Sequence, residues 1–140
     1  MEIKIKKLRD DAVIPFKAHP TDAGFDLTAT SKNIDEYGNS VYGTGISVEI
    51  PENHVGLLFP RSSNARKDLL LTNSVGVIDS GYRGEITFKF KNIGFVGNRY
   101  NIGDRIGQLI IIPYPEVTFI ETDELSETQR GNGGYGSTGQ

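Results

Sequence analysis

The chain has 140 residues, with 15 basic against 18 acidic side chains and a formal net charge of −3. That balance argues against a protein held to nucleic acid by a broad basic face, and leaves room for a small anionic ligand met by a few arginines. Cysteine is absent and the two histidines, His19 and His54, lie far apart, which excludes disulfides and thiolate chemistry and argues against a histidine zinc site or triad.

One domain is expected over 1–140, large enough to bury roughly 70% of its unfolded surface. The start, MEIKIKKLRDD, has no apolar signal core, and no run approaches a membrane span. A soluble, cytoplasmic protein without membrane attachment is therefore expected. Along the chain the hydrophobic period is two. Glu2–Leu8, Gly45–Ile50 and Gly84–Lys91 alternate apolar and polar residues, as half-buried strands do. Apolar runs at His54–Phe59, Ser74–Ile78, Ile106–Ile112 and Val117–Ile120 suit strands covered on both faces. Turn signals separate them at His19-Pro20, Tyr37–Asn39, Pro51–Asn53, Asp79–Gly81, Gly97-Asn98, Asn101–Gly103 and Pro113–Pro115. The spacing predicts one short helix around Ser63–Leu70, with Ser62 or Ser63 as its N-cap. Many short strands with turns at this spacing predict an all-β barrel or sandwich.

Five segments carry residues that a strand core does not need. In Asp22–Ala29 (DAGFDLTA), Asp22 reads as a turn residue. Asp26 alternates with Phe25 and Leu27, and is either a solvated strand carboxylate or an oxygen ligand near a hard cation. In Pro60–Ala65 (PRSSNA), two serines at a helix mouth offer hydroxyls and free N–H groups to an anion, with Arg61 beside them. Asn73–Thr87 (NSVGVIDSGYRGEIT) scans as a β-hairpin with Asp79 at its bend and Asn73 and Tyr82 on opposite arms. Such a hairpin can hold a flat base by its backbone edges. In Gly103–Ile110 (GDRIGQLI), Gln108 is an amide inside an apolar strand, bonded to backbone or to a ligand.

The fifth segment is the tail, Arg130–Gln140 (RGNGGYGSTGQ), whose five glycines forbid a packed core element. Gly131, Gly133 and Gly136 match G-x-G-x-x-G, but no strand leads in and no helix follows, so the dinucleotide reading fails. One guanidinium, one ring and a Ser-Thr pair are what a phosphorylated planar ligand needs. A solvating tail would share this composition.

Taken together and in order, these segments resemble the motifs of the trimeric dUTP diphosphatase (dUTPase) family, from Asp22 to Gly139. The resemblance implies a jelly-roll subunit in a homotrimer with three shared active sites, each drawing on all three chains. It implies hydrolysis of dUTP to dUMP and pyrophosphate with Mg2+, keeping uracil out of DNA and supplying dUMP for thymidylate synthesis. Asp79 matches the catalytic carboxylate that activates the attacking water. Asn73 and the backbone at Val77 and Ile78 match the uracil-reading positions, and Tyr82 the residue that packs on the deoxyribose and excludes a 2′-hydroxyl. Ser62, Ser63 and Gln108 match phosphate contacts, with Arg61 supporting their loop. Asp26 matches the carboxylate that reaches magnesium through water, the triphosphate supplying the other oxygens. In the tail, taken as a lid over residues 130–140, Arg130 and Ser137 match γ-phosphate contacts and Gly136 a substrate-binding position. Tyr135 sits where a ring covers the uracil.

Three positions depart from the family pattern: Tyr135 stands for the usual phenylalanine, Gly107 for a common alanine, and Asn64 for a frequent apolar residue. Two rival readings accompany this one. A dCTP deaminase shares an R-S-S-x-A-R segment like Arg61–Arg66 but needs a glutamate where this chain has Lys89. A non-catalytic binding relative would have no need of Asp79, Asp26 and the complete tail.

Overall fold

The structure is a computed structural model that describes residues 1–95, 97–137 and 139. Ten strands follow one another: β1 (Lys4–Lys7), β2 (Phe25–Thr28), β3 (Ser31–Ile34), β4 (Ser40–Gly43), β5 (Ile46–Glu49), β6 (His54–Phe59), β7 (Leu69–Leu71), β8 (Gly76–Ile78), β9 (Thr87–Asn92) and β10 (Arg105–Pro113). Between β6 and β7 lies one 3₁₀ helix, Ser62–Arg66. All strand pairs are antiparallel. They form a two-stranded sheet, β1–β5, and two four-stranded sheets ordered β2–β10–β6–β8 and β3–β4–β9–β7. Neighbours so distant in sequence require crossovers between sheets, and the result is a jelly-roll-like all-β fold.

Strand β9 shows why these segments extend. Phe88 and Phe90 are buried while Thr87, Lys89 and Lys91 are exposed, a period of two that only a strand can satisfy. Both sheets send such residues to one core. Leu27, Leu58 and Leu109 come from the β2–β10–β6–β8 sheet, and Tyr42, Phe88 and Phe90 from the other. Tyr42 meets Phe90 edge-on, with ring centroids 5.9 Å apart, and Tyr100 closes the group 5.8 Å from Phe90. The phenol of Tyr42 donates to the Tyr100 carbonyl (3.0 Å), so its polar tip is satisfied inside the core. Burial raises both the Tyr42 and the Tyr100 phenol above the ordinary tyrosine value.

The polar Asn64 has a structural use. Its Oδ1 accepts from the Tyr100 hydroxyl (3.0 Å) and its Nδ2 donates to the Leu69 carbonyl (2.9 Å), tying the helix to β7 and to the aromatic cluster.

Four expectations need correction. The helix is a single 3₁₀ turn ending at Arg66, because the next apolar residues, Leu69 and Leu71, are drawn into β7 against β9. Its N-cap is Arg61, with no side-chain cap bond, so neither serine caps it. Asn73–Thr87 is not a paired hairpin: β8 joins β6 and β9 joins β4 and β7, so the arms belong to different sheets. Val117–Ile120 forms no strand, since no sheet edge of this chain meets it. Conversely, β3 and β4 were not foreseen. Their sequence, SKNI then SVYG, carries little apolar signal, although the turn between them at Tyr37–Asn39 was legible.

Gly107 sits where β10 faces β9 across the sandwich. A Cβ there would meet the buried Phe88 ring and lie 3.0 Å from the Phe59 carbonyl. Gly107→Ala should therefore cost about 1–3 kcal/mol by overpacking. Chemical unfolding of the two proteins measures this, and equal midpoints would mean that the sheets part there without strain.

Candidate functional site

A bulge in β10 builds the first half of the site. The register with β2 shifts between Arg105 and Gly107, after which Gln108 stands opposite Asp26. A bulge re-aims side chains, and here Arg105 and Gln108 both serve the face on which Asp26 lies. Asp26 is only 13% exposed and is held between two guanidiniums: Arg61 Nε donates to Oδ1 (3.0 Å) and Arg105 Nη1 to Oδ2 (2.8 Å). Arg61 also reaches Ser63 Oγ at 3.5 Å. Asp26, Arg61, Ser62 and Gln108 line one cleft of about 300 Å³ together with Asp22. This much of the expected constellation is assembled within one chain.

Gly24 makes room for Gln108, since any Cβ there would collide with the amide. Gln108 Nε2 donates one of its two N–H groups to the Pro60 carbonyl (3.2 Å). Asp22 is indeed a turn residue, accepting from the His19 N–H at 2.9 Å. On the other side of Arg61 opens a larger cleft of about 490 Å³, where Arg66, Lys67 and Arg105 face Asp104. Arg105 was not foreseen as a site residue. The signal available was its place in GDRIGQL, one bulge ahead of Gln108.

The second half is elsewhere. β8 lies at the edge of its sheet, paired to β6 alone, so its other side offers unpaired backbone groups. Val77 is exposed and Ile78 buried on this strand, and Asp79 follows directly, exposed, with its carbonyl accepting from Tyr82 N–H (3.0 Å) to close a turn. Among the described residues the Asp79 carboxylate has neither a hydrogen-bond nor an ion-pair partner. The Tyr82 hydroxyl donates to the Glu85 carbonyl (3.0 Å), and its ring covers Gly84, where no Cβ would fit. Asn73 lines a separate cleft of about 260 Å³ with Gly76 and Lys89.

The tail joins neither half. Arg130 Nε donates to the Gly133 carbonyl (2.9 Å), and the bonds from Thr122 onward close within the tail among the described residues. Tyr135 is fully exposed, with a left-handed φ of 50° between glycines, and Gly136 has φ 86°. Ser137 is exposed, while Thr138 and Gln140 lie outside the described residues. One chain thus presents an arginine-lined cleft, an edge strand that leads into a carboxylate unpaired among the described residues, and a tail bonded within itself, at three separate places. Among the described residues no cluster of three or more potential metal ligands occurs, and no helix is long and apolar enough to cross a membrane.

Comparison with known proteins gives the assignment. The dUTPase family model matches residues 10–139. A deoxyuridine 5′-triphosphate nucleotidohydrolase of Clostridium tetani is 44% identical over 140 residues, covering 99% of this chain and 97% of that one. Its counterpart in Crocosphaera subtropica is 42% identical and covers 99% of each. Among solved structures, a mutant dUTPase of Staphylococcus bacteriophage 80alpha with dUpNHpp superposes with a TM-score of 0.87, at 28% identity over 99% of each chain. A mutant dUTPase from phage phi11 of S. aureus, described with a structural Mg(II) ion, gives 0.76 at 27% identity, over 89% of this chain and 98% of that one. With a family match across nearly its whole length and relatives above 40% identity, this chain belongs to the dUTPase family.

Proposed function

We propose that the protein hydrolyses dUTP to dUMP and pyrophosphate, with Asp79 as the base that orients and deprotonates the attacking water. The observation that carries this assignment is the contrast between its two candidate carboxylates. Asp26 has an arginine on each oxygen, so both oxygens are already engaged. Asp79 is unpaired, exposed and fixed at the end of an edge strand. A general base needs a free lone pair within reach of the water it activates, and of these two aspartates Asp79 is the one whose oxygens are unpaired among the described residues.

In this reaction water attacks the α-phosphorus, its proton passes to Asp79, and the bond to the bridging oxygen breaks to release pyrophosphate. The free edge of β8 at Val77 and Ile78, with Asn73, supplies donors and acceptors for the uracil edge. Tyr82 packs against the sugar and leaves no space for a 2′-hydroxyl. Buried polar readout of this kind discriminates strongly, because a wrong base leaves the site's own groups unpaired. Ser62, Ser63 and Gln108, on the cleft beside Arg61, receive the phosphates.

The donor set fits a cation carried on the triphosphate rather than one held by protein alone. The 300 Å³ cleft contains Asp22 and Asp26 but no third carboxylate, and Mg2+ retains waters and takes few protein ligands. Asp26 would reach it through water. When bound, Mg2+ neutralises charge on the triphosphate.

A homotrimer with shared sites accounts for the separation of the pieces within one chain. It is supported by the exposed apolar residues after β10, with Phe119 at 95%, Ile120 at 84% and Leu125 at 87% exposure. Residues of this kind in a run are the mark of a surface that a partner covers. The tail then acts as a lid: Arg130 and Ser137 close on the γ-phosphate, Gly136 binds substrate, and the Tyr135 ring covers the uracil. Soluble cytoplasmic action on a small nucleotide, keeping uracil from DNA and supplying dUMP, completes the reading.

Pyrophosphate release from dUTP, with dCTP and UTP as controls, tests the activity directly. Asp79→Asn should leave dUTP binding within a few-fold yet lower turnover by at least ~100-fold. Near-normal turnover in a folded trimer would remove Asp79 from the role.

Deletion of 130–140 should spare folding and trimerisation but abolish most turnover, because so many glycines bury little apolar surface. Mixing that deletion with Asp79→Asn and allowing subunits to exchange should restore part of the activity, since a site drawing its tail and its acid from different chains can be intact in mixed trimers. No recovery after proven exchange would assign the tail to its own subunit's acid or deny it a catalytic role.

A further inference from the structure

We infer that Arg83 is a positioning residue for both the chemistry and the sugar discrimination, acting through the turn that carries Asp79 and Tyr82. This rests on the function proposed above.

From Asp79 to Ile86 the chain crosses between the two large sheets without joining a strand. No ladder fixes its shape, so the shape depends on turn and side-chain bonds. At its centre is Gly81, around which a Cβ would meet nothing within 4 Å. An unhindered glycine is the position at which such a turn would most readily re-fold.

Arg83 spans that position. Its Nη1 donates to the Ser80 carbonyl (2.6 Å) and to the Tyr82 carbonyl (3.0 Å), gripping the chain on both sides of Gly81. Within the gripped stretch the Tyr82 N–H closes back on the Asp79 carbonyl (3.0 Å). Arg83 is itself anchored. Its own carbonyl accepts from Ser47 Oγ (2.7 Å), and Ser47 is buried on β5. A continuous path therefore runs from a core strand through Ser47 and Arg83 to the peptides that aim Asp79 and Tyr82. Among the described residues Arg83 forms no ion pair, so these carbonyls are its partners rather than a surface acid.

Because the same guanidinium holds the base and the sugar-packing ring, its loss should misplace both. A shift of the order of an ångström at a catalytic group is costly, so Arg83→Gln should lower kcat on dUTP by about 10-fold with KM within about three-fold. The ratio of kcat/KM for dUTP over UTP should fall by a similar factor. Arg83→Lys should recover part of both, since an ammonium can also donate to two carbonyls from one nitrogen but stands on a shorter side chain. Ser47→Ala should move both quantities in the same direction, by less.

A merely structural role predicts something else. Loss of folded protein lowers turnover on dUTP and UTP equally and leaves their ratio unchanged. The measurement is therefore steady-state kinetics on both nucleotides, with Tyr82→Ala as the reference for lost sugar packing and thermal unfolding as the control for fold. An unchanged kcat and an unchanged ratio in folded Arg83→Gln overturn the inference. If that variant does not fold, unchanged kcat and ratio in both Arg83→Lys and Ser47→Ala overturn it instead. Failure of the proposed function is separate, because it would appear as a wild-type protein without dUTP hydrolysis.

Discussion

Placing a carboxylate at 13% exposure is expensive unless its charge is met, and Asp26 is met twice, by Arg61 and Arg105. The trio keeps one net positive charge. It also fixes where that charge sits, because Arg61 leads the 3₁₀ turn bearing Ser62 and Ser63, while Arg105 opens the bulge that brings in Gln108. The phosphate contacts proposed for Ser62, Ser63 and Gln108 thus sit beside this carboxylate. The net charge of −3 for the whole chain makes the local excess more telling: Arg66 and Lys67 extend it into the neighbouring cleft, so an anion is drawn to this one side of an otherwise acidic molecule.

The contrast with Asp79 follows from the same electrostatics. Asp26 has both oxygens taken up by guanidiniums, whereas Asp79, at the exposed end of an edge strand, has no partner for its carboxylate among the described residues. In the proposed function the two aspartates therefore serve opposite purposes, one organising positive charge and one remaining free. Their surroundings separate the roles, as environment does wherever one residue type serves two functions.

Most strands could be read from the sequence where burial alternates or runs unbroken, as in β6, β9 and β10. β3 and β4 could not, because SKNI and SVYG owe their pairing to the sheet they enter rather than to their own pattern. The helix was overextended through Leu70 for the opposite reason: apolar residues after a helical start look periodic until β9 claims them. Asp26, Arg61, Ser62 and Gln108 were legible as a group because odd polar residues in strand-like segments need a reason. Arg105 was missed because a bulge decides its direction, and bulges leave no one-residue signature in a single sequence. Arg83 was missed because its partners are main-chain carbonyls, which sequence does not display.

The division of labour between strands and tail has a physical logic. Groups that must discriminate, such as the β8 edge and the Tyr82 ring, stand on or beside a packed sheet, where displacement costs core contacts. Groups that must release product stand on a segment with almost nothing to lose. Gly131 and Gly136 take left-handed φ values freely, and Tyr135 shares that region between them with its ring in solvent. A non-glycine residue held there is mildly strained, so closing over a ligand can relieve the backbone while burying the ring. Tight closure would nevertheless oppose turnover if the tail also packed an apolar face. Glycines in place of apolar residues weaken the open and the closed state alike, leaving the γ-phosphate contacts to decide between them. In the proposed function, cleavage separates the γ-phosphate from the nucleoside, and with it the contacts proposed for Arg130 and Ser137 from the ring contact proposed for Tyr135. On that reading the reaction itself removes the link that favours closure, so opening after chemistry needs no further signal.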